Sequence, residues 1–268
     1  MSLDSILDHI DGDLENSIAR LMDLLRIESI STDPKYSDEC ISAAQWLVDD
    51  LNSIGFDAEL RETPGHPMVY AKGGSGGTHT LFYGHYDVQP IDPIELWDNA
   101  PFEPKLEETK NGPVIRGRGA SDDKGQLMTF VEACRAFKEV TGDLPNQISI
   151  FFEGEEESGS PSLVPYMKEH IEELKADIAL ICDTGMVEKD TPSIVTMLRG
   201  MLSQEITIKG PDKDLHSGMY GGPSINPIRV LTKALSALHD ENGRVTLDGF
   251  YDGVVEIPDQ VMEQWNNL

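Results

Sequence analysis

The sequence predicts an α/β fold with a mostly parallel sheet that is covered by helices on both faces. The segments Ile148–Phe152 and Ile178–Cys182 are continuously apolar, which is the pattern of strands buried on both faces. Segments with helical periodicity separate such strands along the chain, as parallel connections require. Near residue 195 the pattern changes to one-sided strands beside helices. We therefore expect one α/β domain over residues 1–195 and the start of a smaller two-layer α+β domain over residues 196–268.

The N-terminal half alternates predicted helices with predicted strands. Apolar residues recur at helical spacing over residues 3–27, although Gly12 weakens the early part of this helix. A second helix over residues 41–54 ends at Gly55, a residue typical of helix C-termini. The strands predicted in this half are residues 56–62, 67–71 and 80–83.

Further elements follow in the C-terminal half. Residues 124–138 show the periodicity of a helix that lies between strands. Leu202, Ile206 and Ile208 alternate with polar residues, which predicts a strand with one wet face. The pair Asn226-Pro227 then favours the start of another helix.

The charge balance excludes two classes of partner. The chain has 48 acidic and 21 basic residues, a formal net charge of −27. Nucleic acids and anionic membranes require clustered Lys and Arg, and the sequence contains no such cluster. It also lacks an apolar run of the ~18 residues that a membrane span needs, and a basic segment followed by an apolar one at its N-terminus. We expect a soluble, cytoplasmic protein with no nucleic-acid or membrane partner.

Imidazole and carboxylate groups collect where the predicted strands end. His85 and Asp87 follow the strand over residues 80–83 at a spacing that points both side chains in the same direction in extended chain. Ligands of open α/β sheets bind outside the carboxyl ends of the strands. Asp87 could therefore hold one nitrogen of His85 while the other meets a metal ion. The alternative for this pair alone is a surface contact.

More carboxylates occupy equivalent positions. Asp122 and Asp123 precede the helix over residues 124–138, three consecutive Glu residues (155–157) follow the strand Ile148–Phe152, and Asp183 follows the next strand. Taken singly, these groups also fit a helix cap, a solvated loop or a turn. Three adjacent carboxylates repel one another, and a bound cation would remove this repulsion.

The complete set indicates metal chemistry. Histidine nitrogen together with Asp and Glu oxygens suits zinc, or manganese or cobalt. Several carboxylates shared between sites favour two metal ions over one, as in two-metal hydrolases. In the second domain, His216 lies among flexible glycines that allow close approach to a ligand, although an isolated histidine is more often structural.

Five stretches resemble, in the same order, the motifs of one enzyme family. This family comprises the dinuclear zinc peptidases and deacylases that include carnosinase-type dipeptidases, aminoacylase and succinyl-diaminopimelate desuccinylase. The details of the first and last stretches are most similar to the carnosinase-type dipeptidases. The stretches are Gly84–Pro90, Gly117–Gly125, Glu153–Ser160, Cys182-Asp183 and Asp214–Gly218.

The resemblance implies a zinc-peptidase-like catalytic domain and a set of metal ligands. His85 and Asp183 would bind one zinc ion, Glu157 would bind the other, and Asp122 would bridge the two. The peptide bond between Asp122 and Asp123 would be cis.

The resemblance also implies catalytic roles. Asp87 would orient His85, and Glu156 would act as the general base that deprotonates a metal-held water and passes the proton to the leaving amine. Glu155 would occupy a variable position. His216, on a lid and dimerisation domain, would stabilise the oxyanion in the partner's site of a homodimer.

Members of this family are considerably longer than 268 residues, and their catalytic domain resumes after the lid. We therefore expect a fragment of a longer enzyme rather than a truncated relative, with the final metal ligand and the groups that grip the substrate carboxylate outside it. The expected reaction is hydrolysis of a peptide or amide bond in small substrates such as dipeptides. The alternatives are an amidohydrolase of N-acyl amino acids and a non-catalytic metal-binding or dimerisation module. Glu156 beside Glu157 favours an enzyme, since a binding module needs no base.

Overall fold

The computed structural model describes residues 3–189, 191–195 and 197–267. The chain divides into two compact units at the boundary between residues 196 and 197. Residue 196, where the sequence analysis begins the second domain, lies outside the described residues. None of the helices in the described ranges is long and apolar enough to cross a bilayer.

The first unit alternates helices and strands. Its helices are α1 (Leu3–Gly12), α2 (Leu14–Leu25), α3 (Ser37–Ser53), α4 (Lys124–Thr141) and α5 (Leu163–Glu169). Its strands are β1 (Asp57–Arg61), β2 (Met68–Gly73), β3 (Thr80–His85), β4 (Lys105–Thr109), β5 (Gly112–Arg116), β6 (Ile148–Glu153) and β7 (Ile178–Ile181). Short 3-10 helices span Pro34–Tyr36, Ile94–Leu96 and Glu156–Ser158.

Five strands form the central sheet in the order β1-β2-β6-β3-β7. Strand β3 pairs in parallel with β6 and β7, whereas β2 runs antiparallel to β1 and β6. Four of the five strands therefore run in the same direction, which confirms the predicted mostly parallel α/β sheet. His85 pairs with Glu153 in the register, so β3 and β6 end at the same edge.

Helices cover the sheet on both faces, as the apolar strands predict. Alternate residues of one strand contribute to opposite cores because successive side chains of a strand point to opposite faces. Val69 and Ile150 pack with α3 and α4, whereas their neighbours Tyr70 and Phe151 pack with Tyr166 of α5. All six residues of β6 are buried, as expected for a central strand.

Strand β7 departs from the prediction of a buried strand. It forms at Ile178–Ile181, but all four of its residues are exposed. Among the described residues only β3 pairs with it, so β7 is an edge of the sheet. Apolar character alone does not distinguish an edge strand from a central one.

Two further differences appear in the first unit. The helix predicted over residues 3–27 is two helices, because α1 ends at Gly12 and α2 begins at Leu14. Glycine has a low helix propensity, which accounts for the break at this point. Strands β4 and β5 form a separate hairpin before the Asp122-Asp123 motif.

The second unit is helical in its described residues, with α6 (Ser217–Tyr220), α7 (Pro227–Ser236) and α8 (Asp259–Asn266). The predicted strand over residues 202–208 is wrong, since these residues have no regular secondary structure. A strand requires a neighbour for its backbone groups, and the only β-pairing within 197–267 is the isolated bridge between His239 and Val245. The predicted α+β layers are therefore absent from this range. The predicted helix after Asn226 is confirmed, and the Asn226 side chain accepts a hydrogen bond from the Ile228 amide.

A buried ion-pair network joins the three helices α2, α3 and α4. Arg135 of α4 donates hydrogen bonds of 2.6 and 2.7 Å to the carboxylate of Asp50 on α3. Arg135 also binds Glu132, which in turn binds Arg20 of α2 at 2.6 Å. The side chain of Arg135 is only 8% exposed, so these contacts are shielded from water.

We predict that Arg135→Leu lowers the free energy of unfolding by about 3 kcal/mol, because it leaves the buried Asp50 carboxylate without its partner. Urea unfolding measures this loss. The control is Arg26→Leu, which removes a salt bridge with Asp23 from a side chain that is 53% exposed. It should change the free energy by less than about 1 kcal/mol. Equal losses in both variants would contradict the network's contribution.

Candidate metal centre

His85 is the last residue of β3 and is fully buried. The chain stays extended beyond it because Ser29 holds the next residues: its hydroxyl donates to the Tyr86 carbonyl and its carbonyl accepts from the Val88 amide. Asp87 is thereby buried beside the imidazole. His85 Nδ1 lies 3.1 Å from the Asp87 carbonyl oxygen and 3.3 Å from Asp87 Oδ1. This leaves His85 Nε2 as the nitrogen available for a ligand.

The N-terminus of α4 supplies the second group. Asp122 Oδ1 lies 3.1 Å from His85 Nε2, and Asp123 Oδ2 accepts a hydrogen bond from the His85 amide. The Asp122–Asp123 peptide bond is cis, as the resemblance implies. Lys124, the first residue of α4, is fully buried and donates to the carbonyls of Leu24 and Ile27 at the end of α2. This contact anchors the start of α4, and with it the two aspartates.

The third group comes from the 3-10 turn that follows β6. The amides of Glu156 and Glu157 donate to Asp87 Oδ1 and Oδ2, at 3.2 and 3.0 Å. Gln89 Nε2 donates to Glu157 Oε2 at 2.5 Å and so restricts the carboxylate of that residue. The Asp87 carboxylate therefore ties the turn that carries both glutamates to the segment that carries His85.

These elements bring potential ligand atoms together. One ligand atom each from His85, Asp122 and Glu157 lie within 4.8 Å of one another. Asp183, which follows β7, places Oδ2 at 3.7 Å from His85 Nε2. The side chain of His85 is fully buried, whereas that of Asp122 is 60% exposed, so the cluster is open to solvent on one side.

The cluster fits a divalent metal ion. Imidazole nitrogen with carboxylate oxygens is a donor set typical of zinc and similar ions. Asp123 Oδ1 is buried beside the cluster with no hydrogen-bond partner among the described residues. A nearby positive charge would stabilise such an isolated carboxylate oxygen.

His216 lies in the second unit, where it precedes α6 and is exposed. Its Nδ1 accepts a hydrogen bond from the Gly218 amide. It is not one of the residues that the first unit brings together, and its role stays a prediction.

The carboxylates raise the proton affinity of the buried imidazole. Burial alone would lower the pKa of His85, but the hydrogen bond with Asp87 and the charges of Asp123 and Asp183 outweigh it and raise that pKa to about 10. In the absence of metal, His85 is therefore an imidazolium at neutral pH. A metal ion that binds Nε2 must displace the proton on that nitrogen, while Nδ1 keeps its proton beside Asp87.

Burial acts in the opposite sense on the acids. It raises the pKa of Asp123 to about 7 and raises the pKa of Glu156 and of Glu157 above their usual value. Repulsion from Glu157 adds to this effect at Glu156, and repulsion from Asp122 adds to it at Glu157, while His85 opposes it at both. A carboxylate of raised pKa beside a potential metal ligand is suited to proton transfer.

Sequence reasoning missed two residues that hold this arrangement. Gln89 and Lys124 lie within motifs that the sequence analysis quoted, but their partners are distant in sequence: Glu157 for Gln89, and Leu24 and Ile27 for Lys124. The available signal for both residues was their place in these motifs, close to candidate ligands. The helix predicted over residues 3–27 leaves its last carbonyls free, but nothing in the sequence pairs them with Lys124.

Comparison with known families decides the assignment. The model of peptidase family M20/M25/M40 matches residues 81–260, which include all the clustered groups. The chain belongs to this family. Of the M20 relatives, Cys-Gly metallodipeptidase dug1 of Schizosaccharomyces pombe is 32% identical over 271 residues, covering 96% of this chain and 56% of that protein. Human Beta-Ala-His dipeptidase is 28% identical, covering 99% of this chain and 55% of the relative.

A solved M20 structure also matches. The metallo-carboxypeptidase Sso-CP2 of Sulfolobus solfataricus is 33% identical, with a TM-score of 0.76 over 94% of this chain and 56% of that chain. This chain spans little more than half the length of the curated relatives it matches. The likeness therefore supports an M20 fold for this chain.

We predict that binding of a divalent metal ion releases about one proton at pH 7.5, because the pKa of His85 in the metal-free protein is about 10. The apparent affinity should rise about tenfold per pH unit from pH 6 to 8, since one proton competes with the ion. Calorimetric titration with Zn²⁺ in two buffers of different ionisation heat measures the proton count. His9→Gln, a substitution on α1, is the control and should leave it unchanged. Binding without proton release in the wild-type protein would contradict the protonated state of His85.

Proposed function

We propose that this chain contributes the metal-binding part of a dipeptidase, which hydrolyses the peptide bond of a small substrate with Glu156 as general base. One observation carries the proposal. The Asp87 carboxylate binds the amides of both Glu156 and Glu157 and also contacts His85. A base is thereby held beside a metal ligand without being a ligand itself.

We further propose two zinc ions, with Mn²⁺ or Co²⁺ as substitutes. His85 and Asp183 would hold one ion, Glu157 would hold the other, and Asp122 would bridge them. The distances of 3.1 and 3.7 Å from His85 Nε2 to Asp122 and Asp183 support the first group. When bound, such ions lower the pKa of water and polarise a carbonyl oxygen. Asp87 fixes the ring of His85, and Gln89 fixes the carboxylate of Glu157.

Glu156 moves the proton in this proposal. Its carboxylate accepts a proton from the attacking water as the water oxygen bonds to the scissile carbonyl carbon. The same carboxyl then donates that proton to the leaving nitrogen as the carbon–nitrogen bond breaks. Burial raises the pKa of Glu156, which brings it closer to the value suited to both steps near neutral pH. The hydrogen bond from its backbone amide to Asp87 Oδ1 holds the backbone in place during the transfer.

The second unit completes the proposal. His216 would stabilise the oxyanion that develops on the carbonyl oxygen. A homodimer would form through this lid unit, and the exposed apolar side chains of Ile228 and Leu235 on α7 are consistent with an association surface. A cytoplasmic location is part of the same proposal and rests on the sequence alone.

The relatives favour dipeptides over N-acyl amino acids. They are named as enzymes acting on Cys-Gly and on Beta-Ala-His. An amidohydrolase of N-acyl amino acids is the second candidate, since the same metal chemistry serves both amides. A non-catalytic module is disfavoured, because a metal-binding site has no need of a general base, whereas Asp87 holds Glu156 beside the proposed ligand Glu157.

We predict that the whole dipeptidase to which this chain contributes cleaves dipeptides such as Cys-Gly and β-Ala-His and that a chelator abolishes this activity, which Zn²⁺ or Mn²⁺ restores. Chromatography of the released amino acids measures the reaction, with N-acetyl and N-succinyl amino acids assayed in parallel. Cleavage of the acyl compounds alone would favour the second candidate. Activity that the chelator leaves intact would refute the metal mechanism.

We predict that Glu156→Gln lowers kcat about 10²- to 10⁴-fold, because the amide cannot accept the proton. Metal content should stay at the wild-type level, since Glu156 is not a ligand in this proposal. Elemental analysis and steady-state kinetics measure the two quantities. Glu169→Gln, at an exposed position of α5, is the control and should alter neither. A Glu156→Gln variant with near-wild-type kcat would rule out this base.

A further inference from the structure

Glu155 is a buried carboxylate with a function that the sequence analysis did not assign. The resemblance places it at a variable position, but the residue is only 4% exposed. Its Oε1 accepts a hydrogen bond of 3.1 Å from the His66 amide, and its Oε2 accepts one of 3.0 Å from the Ser162 amide. One side chain thus joins the loop before β2 to the segment that opens α5.

The backbone of Glu155 closes the turn that carries the two other glutamates. Its carbonyl oxygen accepts hydrogen bonds from the amides of Ser158 and Ser160, at 3.1 and 2.7 Å, and from the Ser158 hydroxyl. Glu156 and Glu157 lie inside this turn, and their own amides point to Asp87. Asp87 therefore holds the first two amides of the turn, and the carbonyl of Glu155 holds the amides that follow them.

The neighbouring loop is shaped around the Glu155 side chain. A Cβ atom at Gly65 would lie 1.5 Å from Glu155 Oε1, so only glycine leaves room for the carboxylate. The loop is itself anchored, since His66 Nε2 lies 3.2 Å from the Ser31 carbonyl and Tyr86 Oη donates to the Pro67 carbonyl. Glu155 thus binds to a fixed support and does not merely follow a mobile loop.

We propose that Glu155 is a positioning residue of the metal centre: it fixes the turn that presents Glu156 and Glu157 opposite Asp87. The proposal rests on the function proposed above for Glu156 and Glu157. It assigns to Glu155 no contact with substrate or metal. Its effect is exerted through the backbone of the turn, because its carboxylate holds Glu155 itself in place and its carbonyl holds Ser158 and Ser160.

The test compares Glu155→Gln with the wild-type protein. The glutamine amide presents a donor where one of the two backbone N–H groups needs an acceptor, so one hydrogen bond is lost with little change of shape. We expect kcat to fall about 10- to 100-fold, as for other groups that orient ligands, with KM little changed. Hydrogen exchange at the amides of Glu156 and Glu157 should become faster in the metal-free protein. Glu169→Gln, at an exposed position of α5, is the control and should change neither quantity.

A second variant displaces the carboxylate without removing it. Gly65→Ala places a methyl group against Glu155 Oε1 and should reproduce both effects. Its control is Gly12→Ala, since a Cβ at Gly12 has no neighbour within 4 Å. If Glu155→Gln does not fold, Gly65→Ala decides the question by the same two measurements.

The outcomes separate the two proposals. A whole wild-type enzyme that cleaves no dipeptide refutes the proposed function, and exchange at Glu156 and Glu157 then still decides whether Glu155 fixes the turn. If the wild-type protein is active but the folded variants keep both its kcat and its exchange rates, the positioning proposal is overturned. A lower melting temperature with unchanged kcat and exchange would also overturn it, because Glu155 would then support only overall stability.

Discussion

The metal centre depends on the buried carboxylate of Asp87. Its two oxygens accept hydrogen bonds from the amides of Glu156 and Glu157. The oxygen Oδ1 also lies 3.3 Å from His85 Nδ1. A carboxylate that is buried away from water needs such partners, because an isolated buried charge is strongly unfavourable. The same contacts that stabilise Asp87 therefore set the imidazole and the turn of the two glutamates relative to each other. Stability and site geometry have one physical cause here.

The sheet explains why these groups meet at all. Strands β3, β6 and β7 are parallel neighbours, so the residues that follow them emerge at one edge. Burial raises the pKa of Glu156 after β6, whereas the pKa of His85 at the end of β3 rises because nearby carboxylates outweigh its burial. The charges of the site lie together because the strands end at one edge. The positions of its side chains are fixed by contacts between residues far apart in sequence, such as that of Glu155 with His66.

Local pattern in the sequence was sufficient for part of this structure. The apolar runs located β3, β6 and β7, and the polar residues after them located His85, the three glutamates and Asp183, because periodicity and composition are local properties. The resemblance to known motifs singled out Asp122 and Glu157 as ligands. The exposure of β7 was not predictable, since it depends on which strands pair with it. Residues 202–208 alternate as a strand does, yet a strand forms only with a partner. Gln89 and Glu155 were missed for the same reason, because their partners lie far away in the sequence.

Strand β7 also bears on the behaviour of concentrated solutions. No strand of the described residues pairs with its outer edge, and its residues, Ile178 to Ile181, include neither a charge nor a proline that would discourage addition of another strand. The net charge of −27 opposes such contact by repulsion between copies. This repulsion is screened over about 3 Å in 1 M salt, compared with about 30 Å in 0.01 M salt. Contact between copies at this edge of the described sheet is therefore expected to become easier as the salt concentration rises.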